Sequence, residues 1–356
     1  MKRIFSMISM AIAQAGYTLA EEHVDLESAT RRGLARVKQA ASDWKKNKSC
    51  FSCHHQTLPM LVALEAQRVG FPLDKEWLKS QADTTHAYFE ERIDDMNDGD
   101  HVPGGAATTG FGFWALSLDQ RPPDETTESM VEYLLQIQGV ARLNVPKAAT
   151  SANVQPEKMN DGHWQASCRR APMQASIVGD TVLVLIGIEK YATAEQRSQV
   201  DAARALADSW LAQAPLRNQQ DRLWRLWGLH YLQGNETVKQ STLSAIFAEQ
   251  RDDGGWAETK DRKSDTYSTG QTLFMLLKTG VAAEHPAIIR ARDYLLKTQH
   301  VDGSWLAESH VTFKAQKYFE NGDPYGDHQF LSTAATAWAT AGLAQLLPTQ
   351  SATHSP

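Results

Sequence analysis

The turn motif Asp-Gly-x-Trp occurs three times, and its spacing constrains the fold more than any other feature. The copies begin at Asp161, Asp253 and Asp302, and the second interval is close to half of the first. A repeat of about 45 to 50 residues is typical of an array of similar supersecondary units, of which one here lacks the motif. In each unit an amphipathic stretch leads into the turn, and a more apolar stretch follows it.

The apolar residues predict six helical hairpins. First helices such as 200–211 have one polar face, whereas second helices such as 181–188 are apolar almost all round and should be buried on every side. Outer and inner helices that alternate in this way predict an all-α, single-domain α6/α6 toroid, a closed double ring; an open solenoid is the alternative, although its terminal repeats should be more polar. The predicted pairs are 28–47 with 56–68, 75–94 with 108–118, a third pair from 128 that ends in 176–191, 194–214 with 220–232, 238–250 with 268–278, and 286–299 with 331–346.

The turns resemble the QW repeats of squalene-hopene cyclases and the related repeats of protein prenyltransferase β-subunits, within the terpenoid cyclase/protein prenyltransferase α/α-toroid superfamily. Gln250 and Gln299 precede their Asp by three residues, whereas the first copy has Lys158 at that position. The resemblance implies a toroid with a central cavity, in which the Gln and Trp residues of the motif stabilise the turns. It does not extend to cyclase chemistry, because this sequence lacks the Asp-x-Asp-Asp-Thr motif of those enzymes.

A second motif runs from Cys50 through Cys53 to His54 and has the form Cys-x-x-Cys-His. This is the attachment signature of c-type haem. Its two thiols can bind one haem covalently, and the histidine can ligate the iron. We therefore expect one covalent haem c on these three residues. The alternatives are a disulfide between Cys50 and Cys53 in a haem-free protein, and a zinc site completed by histidines.

The other contacts of such a haem are less constrained. His328 in the sixth unit matches the repeat position of His55 in the first, and these units are neighbours in a closed ring, so His328 is the first choice for the distal iron ligand. Arg169 and Arg170 are candidates for bidentate contacts with the haem propionates. Other distal candidates, beside an open site, are His101, His163, His310, Met60, Met96, Met159 and Met173.

The first 20 residues indicate export. Lys2 and Arg3 precede a mainly apolar run, 4–13, and small residues follow at 18–20, as in a cleaved signal peptide. We expect a signal peptide over 1–20, the toroid domain over 21–348 and a flexible tail over 349–356, which places the protein in the periplasm or outside the cell. Haem attachment of this kind follows export, so the two features agree. No later stretch approaches the roughly 18 apolar residues of a membrane span.

Composition narrows the possible partners. The chain is 42% hydrophobic and carries a formal net charge of -6, which argues against nucleic acid and anionic lipid. The sequence therefore predicts an exported monohaem c-type protein that acts in electron transfer or as a haem redox enzyme, with a redox partner protein or a small-molecule substrate. The alternative is a haem-free enzyme of the isoprenoid type, or a protein that binds a hydrophobic ligand.

Overall fold

The computed structural model describes residues 26–99, 102–139, 162–167, 170–310 and 322–349. The predicted signal peptide, residues 350–356 of the predicted tail, Cys168 and Arg169 lie outside the described residues. Apart from two isolated β-bridges, the regular elements in the described ranges are helices. None of these helices combines the length and the apolar character needed to cross a lipid bilayer.

Six outer helices alternate with six inner helices in the described part of the chain, as the sequence predicted. The outer helices are α1 (26–47), α3 (Lys75–Glu90), α6 (Glu125–Ile137), α8 (Arg197–Gln213), α10 (Glu236–Ala248) and α12 (Pro286–Thr298). The inner helices are α2 (Leu58–Arg68), α5 (Gly105–Leu118), α7 (Ile177–Tyr191), α9 (Gln219–Tyr231), α11 (Thr266–Lys278) and α13 (Gln329–Ala344). A short helix, α4 (Ile93–Asn97), follows α3, and a π-helical turn, Cys53–Thr57, precedes α2.

The inner helices form a closed ring. Each packs against the next, from α2 through α5, α7, α9 and α11 to α13, and α13 packs against α2. In the outer layer the ring closes where the Gln299 Nε2 donates to the carbonyl of Ala29 in α1 at 2.9 Å. The all-α, single-domain α6/α6 toroid is therefore confirmed.

The three tryptophans of the turn motif hold each hairpin together. All three are buried, and each indole N–H donates to a carbonyl of the preceding outer helix, at 2.7 Å for Trp164, 2.8 Å for Trp256 and 2.9 Å for Trp305. The backbone N–H of each Trp also donates to a threonine Oγ1 of the following inner helix; these threonines are Thr181, Thr269 and Thr336. Each tryptophan thus links the outer and inner helices of its own hairpin.

The glutamine of the motif links one hairpin to the next. Gln250 Nε2 donates to the Gly254 carbonyl at 2.9 Å and to the Ala287 carbonyl of the next outer helix at 2.8 Å. Gly254 has φ +87°, and a Cβ there would lie 2.5 Å from the Arg290 carbonyl oxygen, so both the backbone conformation and the close approach require glycine.

In the third unit the same bonds are made by Gln138. Its Nε2 donates to the Gly162 carbonyl at 2.9 Å and to the Ala203 carbonyl of the next outer helix at 2.7 Å. The spacing of the motif predicted this position to be Lys158, three residues before Asp161. Lys158 lies outside the described residues. The glutamine is therefore retained, but an insertion separates it from its turn.

Aromatic side chains from several inner helices meet across the centre of the ring. The ring centroid of Trp114 in α5 lies 6.0 Å from that of Trp227 in α9 and 6.1 Å from that of Trp338 in α13. Phe274 in α11 lies 5.6 Å from Trp227 and 5.4 Å from Trp338. We call these four residues the axial cluster. At this level aromatic side chains occupy the position of the central cavity that the family resemblance implied.

Candidate functional site at the mouth of the ring

The Cys-x-x-Cys-His motif lies at the end of the ring where the inner helices begin. Cys53 opens the π-helical turn, and such turns are frequent at functional sites. Two hydrogen bonds between Ser52 and Gln56 stabilise the turn. The Ser52 N–H donates to Gln56 Oε1 at 2.6 Å, and the Ser52 carbonyl accepts the N–H of Gln56 at 2.8 Å. Cys50 is exposed, Cys53 is half-buried, and no disulfide joins them. The two cysteines are therefore separate side chains, one three residues before a well-defined turn and one at its first position.

His54 has one ring nitrogen with an unmet bonding capacity. Its Nδ1 lies 3.3 Å from Ser52 Oγ and 3.5 Å from Cys53 Sγ. Its Nε2 is buried and has no hydrogen-bond partner within the described residues. Burial lowers the pKa of His54 well below its ordinary value, and His55 and Arg170 lower it further, so the ring is neutral at pH 7. A neutral imidazole with an unpartnered nitrogen is the form of histidine that ligates a metal.

His55, by contrast, is fully engaged in the structure. Its Nε2 lies 2.9 Å from Asp323 Oδ2, and the indole of Trp44 stacks on its ring at a centroid distance of 4.5 Å. Burial lowers the pKa of His55 despite the opposing effect of Asp323, so the neutral ring donates to an ionised carboxylate. Asp323 also accepts from Arg36 at 2.7 Å and from Thr333 at 2.9 Å. The second histidine of the motif therefore has a structural role.

Two of the predicted or candidate haem contacts lie beside the motif. Met173 Sδ lies 3.8 Å from Cys53 Sγ. Arg170, three residues earlier, is exposed and close enough to His54 to lower its pKa. Arg169 lies outside the described residues. The segment that leads into α7 therefore brings a thioether and a guanidinium to the motif.

His328 is placed differently from these residues. It precedes α13, and its Nδ1 accepts the backbone N–H of Ser309 at 3.1 Å. Ser309 lies between Glu308 and His310, and both of these residues line a cleft described below. Phe330, two residues after His328, instead packs on His54 with ring centroids 5.5 Å apart. The structure therefore ties His328 to the segment that lines the cleft, and it places Phe330 against the motif.

The cleft lies at the same end of the ring, between the fifth and sixth hairpins. It has a volume of about 920 Å3, and most of the side chains that line it are polar or charged. Representative lining residues are Glu258, Arg262, Asp265, Tyr294, Lys297 and His310. A cleft of this size holds a small organic molecule, and its polar walls favour a polar one.

An acid–base pair lies on the wall of this cleft. His310 Nε2 is 2.7 Å from Glu258 Oε2, and the Glu258 side chain is only 7% exposed. Burial raises the pKa of Glu258 above its ordinary value; His310 and Arg262 oppose this shift, and Asp265 adds to it. Perturbed carboxyl groups in clefts are frequent at catalytic sites, where they donate or accept protons.

Adjacent residues of the chain contact the motif and line the cleft. Pro172 lines the cleft, while the adjacent Met173 contacts Cys53. Leu331 lines the cleft, while the adjacent Phe330 contacts His54. A group bound at the motif and a small molecule in the cleft would therefore be neighbours.

Sequence reasoning missed Glu258, although a signal was present. Glu258 follows Trp256 of the turn motif by two residues, and Glu308 follows Trp305 by three. Because the turn delivers the chain to the mouth of the ring, an acidic residue directly after the tryptophan was a candidate for the cleft wall.

No protein-family model matches the chain, and no curated protein matches it. Similarity to solved structures extends over nearly the whole chain. A glycosidase variant is 12% identical, covers 92% of this chain and 99% of its own, and superposes with a TM-score of 0.58. A variant of the type II terpene cyclase MstE from Scytonema, in complex with geranylgeranyl dihydroxybenzoate, is 13% identical, with coverages of 93% and 99% and a TM-score of 0.50. A protein from Actinoplanes is 15% identical, with coverages of 90% and 99% and a TM-score of 0.50. At these identities the similarity establishes the α/α-toroid fold alone.

Proposed function

We propose that this chain is an exported toroid protein that carries one covalent haem c, attached through Cys50 and Cys53 with His54 as an iron ligand. In this role it acts in electron transfer, or as a haem redox enzyme at the mouth of the ring, with a redox partner protein or a small-molecule substrate. The observation that carries the proposal is the His54 Nε2, which is buried and unpartnered in the described residues and directly follows the second of two cysteines that no disulfide joins. An orphaned nitrogen in that place fits an iron ligand.

The surroundings of the motif support the same assignment. Ser52 Oγ lies at hydrogen-bond distance from His54 Nδ1 and can hold the ring in the orientation that presents Nε2. Trp44 and Phe330 flank the imidazole and exclude water from it. Arg170 supplies a positive charge near the motif, which suits a propionate. The haem, when bound, would supply one-electron chemistry.

A second candidate is a haem-free enzyme or small-molecule binding protein. The structural similarities favour this candidate more than the first, because two of the solved structures that share the fold are enzymes, a glycosidase and a terpene cyclase. Its site would be the cleft that contains Glu258 and His310. Because the axial cluster occupies the centre of the ring, the polar cleft offers more room than the axis does, and a polar substrate fits it better than a long isoprenoid. In this candidate the oxidation of Cys50 and Cys53 to a disulfide would replace haem attachment.

Covalent haem distinguishes the two candidates. The full chain would be produced in the periplasm of a host that has the c-type maturation machinery, and the haem would be measured by the pyridine haemochrome spectrum after acid-acetone extraction, together with intact mass. We expect one haem per chain that resists extraction, and its loss in the Cys50→Ser/Cys53→Ser double variant. Cys168→Ser is the matched control and should keep the haem. A folded, haem-free wild-type protein under these conditions would refute the first candidate and favour the second.

A further inference from the structure

The side chain of Met173 lies directly beside the Cys-x-x-Cys-His motif. Its Sδ is 3.8 Å from the Sγ of Cys53, one of the two atoms to which the haem of the proposed function would be attached. A thioether is a ligand of c-type haem iron, opposite the histidine. Methionine has three rotatable side-chain bonds, so its sulfur can change direction without movement of its backbone.

The backbone of Met173 is held by two neighbouring inner helices. Gln220 at the start of α9 donates through Nε2 to the carbonyls of Pro172 at 2.8 Å and Met173 at 3.3 Å. The Tyr267 hydroxyl of α11 donates to Gln220 Oε1 at 2.9 Å, and both side chains are buried. Met173 is therefore anchored to the ring by a buried network. A ligand on a rigid support loses little conformational entropy when it binds.

His328 is less well placed for the same role. One ring nitrogen accepts the N–H of Ser309, whose neighbours Glu308 and His310 line the cleft. The residue of α13 that does reach His54 is Phe330, which has no ligating atom. The sequence-based choice of His328 depended on repeat position, whereas Met173 has a direct contact with the motif.

We propose that Met173, and not His328, is the distal ligand of the haem iron. This inference rests on the proposed attachment of haem at Cys50 and Cys53. It assigns His/Met ligation, through His54 and Met173, and so favours electron transfer over catalysis at the iron.

The test compares three variants of the haem-loaded full chain: Met173→Leu, Met173→His and His328→Ala. Met130→Leu, a change of the same kind at a buried position in α6, is the matched control. We expect a low-spin ferric spectrum with a sulfur-to-iron charge-transfer band in the wild type, in Met130→Leu and in His328→Ala. Met173→Leu should lose the band, become high-spin and bind added imidazole at least tenfold more tightly. Met173→His should restore low-spin iron without the band.

Each other outcome has a distinct meaning. A haem-loaded Met173→Leu variant with an unchanged low-spin spectrum would overturn the assignment of Met173, and a high-spin wild-type protein would overturn it as well. Loss of low-spin iron in His328→Ala would return the role to His328. If the haemochrome assay finds no covalent haem in the wild type, the proposed function and the ligand assignment both fail. The haem content is measured separately from the spin state, so this failure is distinguishable from a failure of the ligand assignment alone.

Discussion

His55 Nε2 and Asp323 Oδ2 lie 2.9 Å apart, and this buried contact joins the first hairpin of the ring to the last. Arg36 of α1 reaches the other oxygen of the same carboxylate. Three charged or polar groups from both ends of the array therefore meet in one place. The contact explains why the two consecutive histidines differ. His55 bonds to Asp323 where the ring closes, whereas the Nε2 of His54 has no hydrogen-bond partner within the described residues.

Asp323→Asn should destabilise the protein by about 2–4 kcal/mol, because it removes a buried carboxylate that pairs with half-buried Arg36 and accepts from His55. The free energy of unfolding in denaturant measures the effect. Asp327→Asn, an exposed change in the same segment, should alter stability by less than about 0.5 kcal/mol. Equal effects from the two variants would mean that the closure contact contributes nothing specific.

Gln138→Ala should cost about 1–3 kcal/mol, the same as Gln250→Ala, because each glutamine satisfies two carbonyl groups at the junction between hairpins. Gln240→Ala, on the exposed face of α10, is the control and should be nearly neutral. The midpoint temperatures of thermal unfolding measure the stability of the three variants. A neutral Gln138→Ala would show that the third unit does not depend on this tie.

Trp338→Ala should cost about 3–5 kcal/mol and open a cavity at the axial cluster. An empty apolar cavity of that kind binds small apolar probes, so the variant should gain affinity for benzene, measured as ligand-induced thermal stabilisation. Trp77→Ala on α3, which is only half-buried, should cost less and should not gain benzene binding. If the wild type already binds benzene equally well, the axis is open and the second candidate function regains an apolar site.

The raised pKa of Glu258 predicts a pH dependence of stability. The folded state holds the proton of this carboxyl to a higher pH than the unfolded state, whose ordinary pKa is about 4.3. The free energy of unfolding should therefore fall as the pH rises through that value towards the folded pKa, and the lost stability should not return above it. Unfolding curves between pH 4 and pH 8 should show this fall in the wild type, but less of it in Glu258→Gln. The exposed Glu308→Gln is the control, and parallel curves for all three proteins would contradict the prediction.

The amount that could be predicted from the sequence differs between the fold and the site. The helix boundaries followed from apolar periodicity, a local signal, and the inner helix over Gln219–Tyr231 was predicted within one residue even though its unit lacks the turn motif. The contact of His328 with Ser309 was not predictable in this way, because a repeat position fixes the place of a residue along the chain but not the partners of its side chain. Gln138 was missed because an insertion hid its distance from the turn, and only the folded chain brings it to Gly162.

The contact between α2 and α13 also affects how the chain folds. An open array of hairpins can lose its terminal repeats one at a time, whereas in this ring every inner helix has a neighbour on both sides. At the same junction, the contact between His55 and Asp323 joins residues separated by 268 positions. It can form only after most of the chain is synthesised, and pairings of such high contact order slow folding. Unfolding should therefore be cooperative and complete, without gradual fraying from either end.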